Sequence, residues 1–389
     1  MRNGAVWALA VGQTLGYASL FYIFAALILW WEADLGWDRA TLALGPMLAV
    51  ALAGLAAPLA GRLVDRGLGP ELLGAGPVLG AAALALLAVA DRPAVYLAAW
   101  AGLGLAQGAC LYEVCFAFLI RRFGSAARPA IIRVTLVAGF ASTLAFPAGA
   151  ALSGALGWRG AVWVAAAVVL GVMAPLQALA ARAIRRSAPP PRPATLEADR
   201  GALGRALRQG GFWGLASVFA LVSLNHWMLI SFLVPVLSER GMSGTLAVTA
   251  ASCVGPAQVA GRILLMRWES RIGTAQATLI TMAGLVLGAL LLLAAGLAPL
   301  LAFGFALVQG AALGVMTILR PILVAETLGQ AGYGAIAGAL SLPPLAASAA
   351  APVTGAVLLS AGGAGALIGA SLALAVAALA GAAILLRKA

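Results

Sequence analysis

The feature that most constrains this chain is a run of apolar residues about as long as a bilayer is thick, repeated from one end to the other. A hydrocarbon core takes about 20 apolar residues per helix, and a helix satisfies its backbone hydrogen bonds internally where no water can. Apolar runs between charged or Gly/Pro punctuation fall at 5–30, 40–60, 70–90, 94–120, 129–153 and 160–182. They resume at 212–237, 244–265, 274–296, 299–325, 334–360 and 364–386. This predicts an all-α integral membrane protein with twelve transmembrane helices. With 63% of its residues apolar and 9% charged, against about a quarter charged in soluble domains, the chain is no water-soluble enzyme, secreted module or nucleic-acid binder. Its expected surroundings are the lipid bilayer.

Between the sixth and seventh spans, residues 183–210 are basic and carry four prolines at Pro189, Pro190, Pro191 and Pro193, too polar for lipid. They read as a cytoplasmic linker between an N-terminal six-helix bundle, 1–182, and a C-terminal one, 211–389. Basic loops are retained on the cytoplasmic side. Placing both termini inside leaves only Arg39, Arg92, Arg159 and Arg240 of the 24 Lys and Arg outside. The predicted location is therefore a cytoplasmic (inner) membrane, crossed many times, and topology accounts for the net charge of +12. Glu32, Asp34, Asp38, Asp91 and Glu239 fall outside. The apolar stretch behind Met1-Arg2-Asn3-Gly4 is longer than a signal-peptide core, so the first helix is expected to persist. Trp30, Trp31 and Trp37 read as an outer interfacial belt.

The halves repeat each other. Trp7 and Trp213 open spans 1 and 7, and Gly61-Arg62 and Gly261-Arg262 end spans 2 and 8. Gln107-Gly108-Ala109 matches Gln309-Gly310-Ala311, and Pro147 matches Pro352. A near-constant offset of about 200 residues implies duplication, and six crossings per copy give the two bundles the same orientation about an axis along the membrane normal. Gly104 and Gly108 form a GxxxG pair suited to close helix contact, with bundles rocking along glycine-lined surfaces as a further reading. Cys110, Cys115 and Cys253 lie in apolar segments with no disulfide or metal spacing; they read as packing residues. No metal and no cofactor is implied.

Gly61-Arg62-Leu63-Val64-Asp65-Arg66-Gly67, in the short loop after span 2, resembles the G-x-x-x-D-R signature of the major facilitator superfamily. The resemblance implies secondary transport by alternating access, with Asp65 and Arg66 holding helix ends together as a conformational gate. Arg262, at the position matching Arg62, joins them as a gate candidate or as a structural residue at the inner face. Leu68 and Pro70 depart from the family pattern, and Leu265 and Met266 replace Asp65 and Arg66 in the second copy. Ala325-Glu326-Thr327-Leu328-Gly329, followed by Gly332, Gly334 and Gly338, is similar to the matching loop of bacterial monocarboxylate and oxalate/formate transporters. Phe146-Pro147-Ala148-Gly149 lacks the Gly before Pro that proton-coupled drug exporters of the superfamily usually show.

Ionisable groups inside spans cost about 2.5 to 3.5 kcal/mol on insertion scales and so mark function. Glu113 in span 4 and Arg133 in span 5 read either as a structural salt bridge or as a proton-coupling pair. In the second reading a substrate anion takes Arg133 and raises the proton affinity of Glu113. Arg320 and Gln309 share a face of span 10, eleven residues apart, in a stripe with Leu313 and Met316 expected to face a cavity. Arg320 reads as a carboxylate-binding fork or as an anchor near the inner interface. Asn225 and His226, the only histidine, sit mid-span 7 at substrate depth; His226 binds substrate, carries protons or packs internally. Gln13 and Tyr17 lie at comparable depth in span 1, ahead of the aromatic run Phe21, Tyr22 and Phe24.

The function expected from these residues is transport of a small, monocarboxylate-like organic anion, coupled to protons, by a protein working as a monomer. Proton-driven multidrug efflux is the alternative and a non-transporting membrane sensor a remote one. There is no His pair, clustered carboxylate, activated nucleophile or phosphate loop, so no enzyme is expected.

Overall fold

The computed structural model describes residues 2–37, 39–187, 201–268 and 271–388. Asp38 and most of the linker, residues 188–200, lie outside them. The described residues are helical with short connections and contain no strand, as lipid demands of a chain that must pair its own backbone. In order, the α-helices are α1 (Arg2–Gly16), α2 (Ile23–Leu35), α3 (Arg39–Leu63), α4 (Gly69–Ala88), α5 (Pro93–Cys110) and α6 (Tyr112–Phe123). Then come α7 (Arg128–Ala138), α8 (Ala141–Val168), α9 (Ala174–Ser187), α10 (Ala202–Leu207), α11 (Gly210–Glu239) and α12 (Gly244–Ser252). The last are α13 (Val254–Trp268), α14 (Thr274–Ala294), α15 (Leu301–Leu328), α16 (Tyr333–Leu340) and α17 (Leu342–Lys388).

Nine helical runs among the described residues are long and apolar enough to cross a membrane. Three of them contain a glycine out of helical geometry, at Gly67, Gly157 and Gly362-Gly363, and a fourth breaks at Leu111. Gly67, Gly157 and Gly363 have φ of 91°, 71° and 63°, values that a Cβ disfavours and glycine accepts. Three π-helical turns, Tyr17–Phe21, Val64–Leu68 and Val169–Met173, add further irregularity. All three lie in the first half of the chain.

The chain divides into two compact units: residues 1–203 with 330–339, and residues 204–329 with 340–389. In the first unit α1 packs on α7 and α9, α3 on α5, and α4 on α5, α8 and α9. Its aromatic centre joins Trp31, Tyr96, Trp100 and Trp158, with Trp31 touching the other three edge-on. Trp31 is fully buried, which corrects its assignment to the outer belt. Trp30 is 39% exposed, whereas Trp37 packs on Tyr96. Adjacent tryptophans on a helix point about 100° apart, so Trp30 and Trp31 cannot share one surface.

In the second unit α15 lies between α13 and α14, and α17 covers α11 and α14. Met228, Leu229, Leu233, Phe305, Leu367 and Ile368 form its core.

Each unit repeats a contact where backbones touch. A Cβ on Gly108 of α5 would stand 3.1 Å from the carbonyl oxygen of Ala53 on α3, and Gly104 is tighter still against Ala49. In the second unit Gly310 and Gly314 of α15 abut Val254 and Gln258 of α13 in the same way. The GxxxG pair thus seats helices inside a unit. A third such contact joins α3 to α16: Gly61 and Gly334 would each drive a Cβ into the other's carbonyl.

Each unit also ties three helix ends with one acid and one arginine. In the first, Asp34 at the end of α2 accepts from Trp158 Nε1 at 2.7 Å and Arg159 Nη1 at 2.5 Å, and Arg159 reaches the Ala90 carbonyl beyond α4. In the second, Glu239 at the end of α11 accepts from the Ala364 backbone N–H at 2.9 Å, while Arg240 reaches the Leu293 carbonyl of α14.

Candidate functional site

The first unit builds its polar interior where two spans lose regular geometry. The π turn Tyr17–Phe21 leaves the Leu20 carbonyl available, and Gln107 Nε2 donates to it at 2.8 Å. The span formed by α5 and α6 breaks at Leu111, whose φ/ψ of −88°/−160° is extended. That break frees the Cys110 carbonyl, which accepts from Gln13 Nε2 at 2.7 Å. The Tyr112 N–H, first in the new helix, donates to the Tyr17 hydroxyl. Tyr17 and Tyr112 rings lie 4.5 Å apart, and Tyr112 stacks on Phe116 at 4.7 Å. Phe21 meets Tyr17 edge-on and is 37% exposed.

Glu113 stands in the first turn of α6, where the helix dipole favours a carboxylate, and it is exposed. No ion pair joins it to Arg133 among the described residues. Arg133, on α7, donates instead to Asn3 Oδ1 at 3.1 Å. The salt-bridge reading of this pair is therefore corrected: α7 presents Arg133 to α1, and the break at Leu111 reorients α6 and its carboxylate. Gln13 is fully buried with its Oε1 unpartnered, and neighbouring Gln177, fully buried beside Gly12, has no partner for either amide atom.

The second unit holds a set of its own. Ser371 Oγ donates to Asn225 Oδ1 at 2.6 Å, leaving Asn225 Nδ2 unpartnered in a residue 1% exposed. His226 is half-buried and its Nδ1 has no partner. Gln309 is 1% exposed with neither amide atom bonded; a Cβ on Gly288 of α14 would stand 3.3 Å from its Oε1. Gln309 is therefore wedged against α14, and Leu313 and Met316 are buried too, which corrects the expectation of an open cavity-facing stripe. Arg320, further along α15, is half-buried. Its guanidinium lies 5.3 Å from the centre of the Phe219 ring and reaches the Leu340 carbonyl at 3.5 Å. Among the described residues no carboxylate pairs with it.

The gate candidates part company. Asp65 is 7% exposed, and its Oδ1 and Oδ2 accept from the backbone N–H groups of Gly334 and Ala335, each at 2.9 Å. It thus caps the N-terminal turn of α16, a charge-assisted bond aligned with the helix dipole. Arg66 beside it is exposed. Arg262 is buried in the second unit, its Nε donating to the Gly314 carbonyl at 3.3 Å. Sequence reasoning missed Tyr112, Phe219, Gln177 and Ser371. Nothing around Leu111 resembles a helix breaker, and the other three follow only from which helices become neighbours.

The first unit also contains an apolar cavity of about 280 Å³ between α1, α2 and α8, lined by Leu15, Ser19, Ile23, Leu144, Leu152 and Val164 among others. No group of three or more His, Cys, Asp or Glu among the described residues is arranged to hold a metal.

Several solved structures share this fold. FucP, a transporter in the outward conformation, superposes with a TM-score of 0.73 at 16% identity, covering 98% of each chain. The proton:xylose symporter XylE bound to 6-bromo-6-deoxy-D-glucose gives 0.72 at 13%, covering 97% of this chain and 95% of that one. A variant of the E. coli fucose:proton symporter FucP gives 0.71 at 16%, again with 98% of each chain covered. No curated protein sequence matches. Residues 9–342 match the sequence profile of the Major Facilitator Superfamily, whose members are transporters and not enzymes, and this multi-pass membrane chain belongs to that family.

Proposed function

We propose that the protein is a secondary active transporter that moves a small organic anion, monocarboxylate-like, by alternating access and together with a proton. The observation that carries the reading is Arg320: a half-buried guanidinium in an apolar span with an aromatic face and one long carbonyl contact, and no acid to neutralise it among the described residues. An unpaired charge there is costly, and a carboxylate held by two parallel N–H bonds would offset that cost. The unsatisfied amides of Asn225 and Gln309 and the free Nδ1 of His226 add hydrogen-bonding capacity in the same unit.

Proton coupling is assigned to Glu113, exposed at the start of a broken helix beside Tyr17, with His226 as a second carrier. The two proton symporters sharing the fold favour coupling as well. In this reading 1–182 and 211–389 are six-span halves joined by 183–210, and the glycine breaks at Gly67, Gly157 and Gly362-Gly363 inside three of the nine described runs support that division. Both termini face the cytoplasm, and Asp65, Arg66 and Arg262 serve the gate. A monomer suffices.

Uptake in proteoliposomes from a panel running from lactate to aromatic acids, with and without an imposed pH gradient, tests this. Carboxylate uptake that grows with an inward proton gradient is the expected result. Transport of cationic compounds with no carboxylate uptake would reject the anion assignment. That outcome would instead suit drug efflux, which the apolar cavity beside Ser19 favours. Resistance to cationic dyes, lost in Glu113→Gln, would then be seen.

A further inference from the structure

Four arginines gather at one end of the first unit. Arg121 and Arg122 occupy the last turn of α6, and Arg185 and Arg186 the last turn of α9. Glu71, in the first turn of α4, is bound at 2.5 Å by Arg185. Arg122 is half-buried within electrostatic range of Arg121, Arg185 and Glu71, yet among the described residues it has no hydrogen bond or ion pair. Asp65, the acid that follows α3, holds the first turn of α16.

Retention of basic residues on one side of the membrane accounts for arginines at this end, and helix dipoles favour them in a last turn. Neither accounts for a half-buried guanidinium left unpaired beside two others. Nor does the duplication require it, because Leu323 and Val324 stand at the matching positions of the second copy.

The missing partner is an anion, and the place suggests which. Arg122 lies at the end of a span, the level of lipid headgroups. Above it, Val78 lies two turns along α4 on the same face as Glu71, about 10 Å deeper. Val78 and Leu179 of α9 are 49% and 64% exposed and present an apolar flank for acyl chains. We propose that Arg122, with Arg121 and Arg185 around it, binds the phosphate of an anionic phospholipid at this end of the first unit. Basic pockets between spanning helices suit such headgroups, and the guanidinium fork suits a phosphate oxygen pair.

The test is native mass spectrometry of the full-length protein released from micelles containing phosphatidylglycerol or phosphatidylcholine. Phosphatidylglycerol should be retained preferentially, and Arg122→Gln should cut its retention about fivefold, the effect of roughly one arginine near a charged surface. Arg186→Gln, exposed in the same last turn as Arg185, should leave retention unchanged. Glu71→Gln should raise it by removing the acid that competes for Arg185, a gain that a misfolded variant would not show. Equal losses in the Arg122 and Arg186 variants would overturn the proposal in favour of diffuse surface charge. Inorganic phosphate adducts that survive while phosphatidylglycerol is not preferred would assign the site to a free anion and overturn the lipid.

Discussion

The two units share a scaffold and differ in how it treats polar side chains. Gly108 on Ala53 and Gly310 on Val254 are the same backbone contact made twice. Gln107 and Gln309, each one residue before those glycines, have opposite fates. Gln107 bonds the carbonyl that the π turn exposes. In the second unit α11 runs from Gly210 to Glu239 with no such turn, and Gln309 stays unbonded. At this pair of positions the irregular backbone of α1 and α2 supplies a carbonyl to the buried amide, and the regular α11 supplies none.

The strongest way to break this contrast is at the arginines. Arg320→Ala should lower transport about tenfold or more at unchanged membrane abundance, as loss of a bidentate carboxylate contact implies. Arg133→Ala, which gives up only an exposed bond to Asn3, should stay within about twofold in the same uptake assay. Parallel loss of transport and abundance for Arg320→Ala would make it a structural anchor.

Next come the glycines. Gly310→Ala should destabilise by about 1 to 3 kcal/mol, the cost of overpacking, because its Cβ would meet the Val254 carbonyl oxygen at 2.4 Å. Gly108→Ala, with 3.1 Å to Ala53, should cost less; thermal unfolding in detergent ranks the pair. Equal effects would mean the two contacts are closer copies than their geometry implies.

Much of this contrast was readable beforehand. Long apolar runs announce membrane-spanning helices, and Gln107-Gly108 against Gln309-Gly310 marks the glycine contact that each unit makes, because both are written in consecutive residues. The interior was not. Residue spacing places Gln309 and Arg320 on one stripe but cannot say that α14 covers the first and Phe219 the second. The break at Leu111, which separates Glu113 from Arg133, carries neither proline nor glycine to announce it. Trp31 likewise looks interfacial in sequence and is buried because Tyr96, Trp100 and Trp158 converge on it.

A sharper and smaller test exchanges the glutamines. Gln107→Leu deletes a bond that is made and should cost about 1 kcal/mol. Gln309→Leu, whose amide is unpaired, should be neutral or stabilising in the same melting experiment while changing transport if the amide meets cargo. The smallest effect belongs to the acid ties: Asp34→Asn gives up a half-exposed ion pair and should shift stability by about half a kcal/mol or less. Glu239→Gln keeps an acceptor for the Ala364 N–H and should shift it less still.

The π turn at Tyr17–Phe21 also fixes a phase. One surplus residue in a turn rotates everything before it by about 100° relative to everything after, so Gln13 and Phe24 keep their present neighbours only while the surplus is there. Deleting a single residue between Tyr17 and Phe21 would straighten the helix, withdraw the Leu20 carbonyl from Gln107 and swing one end of the span to a new azimuth. The matching stretch of α11 has no surplus to lose, and one deletion there would put its halves out of register instead.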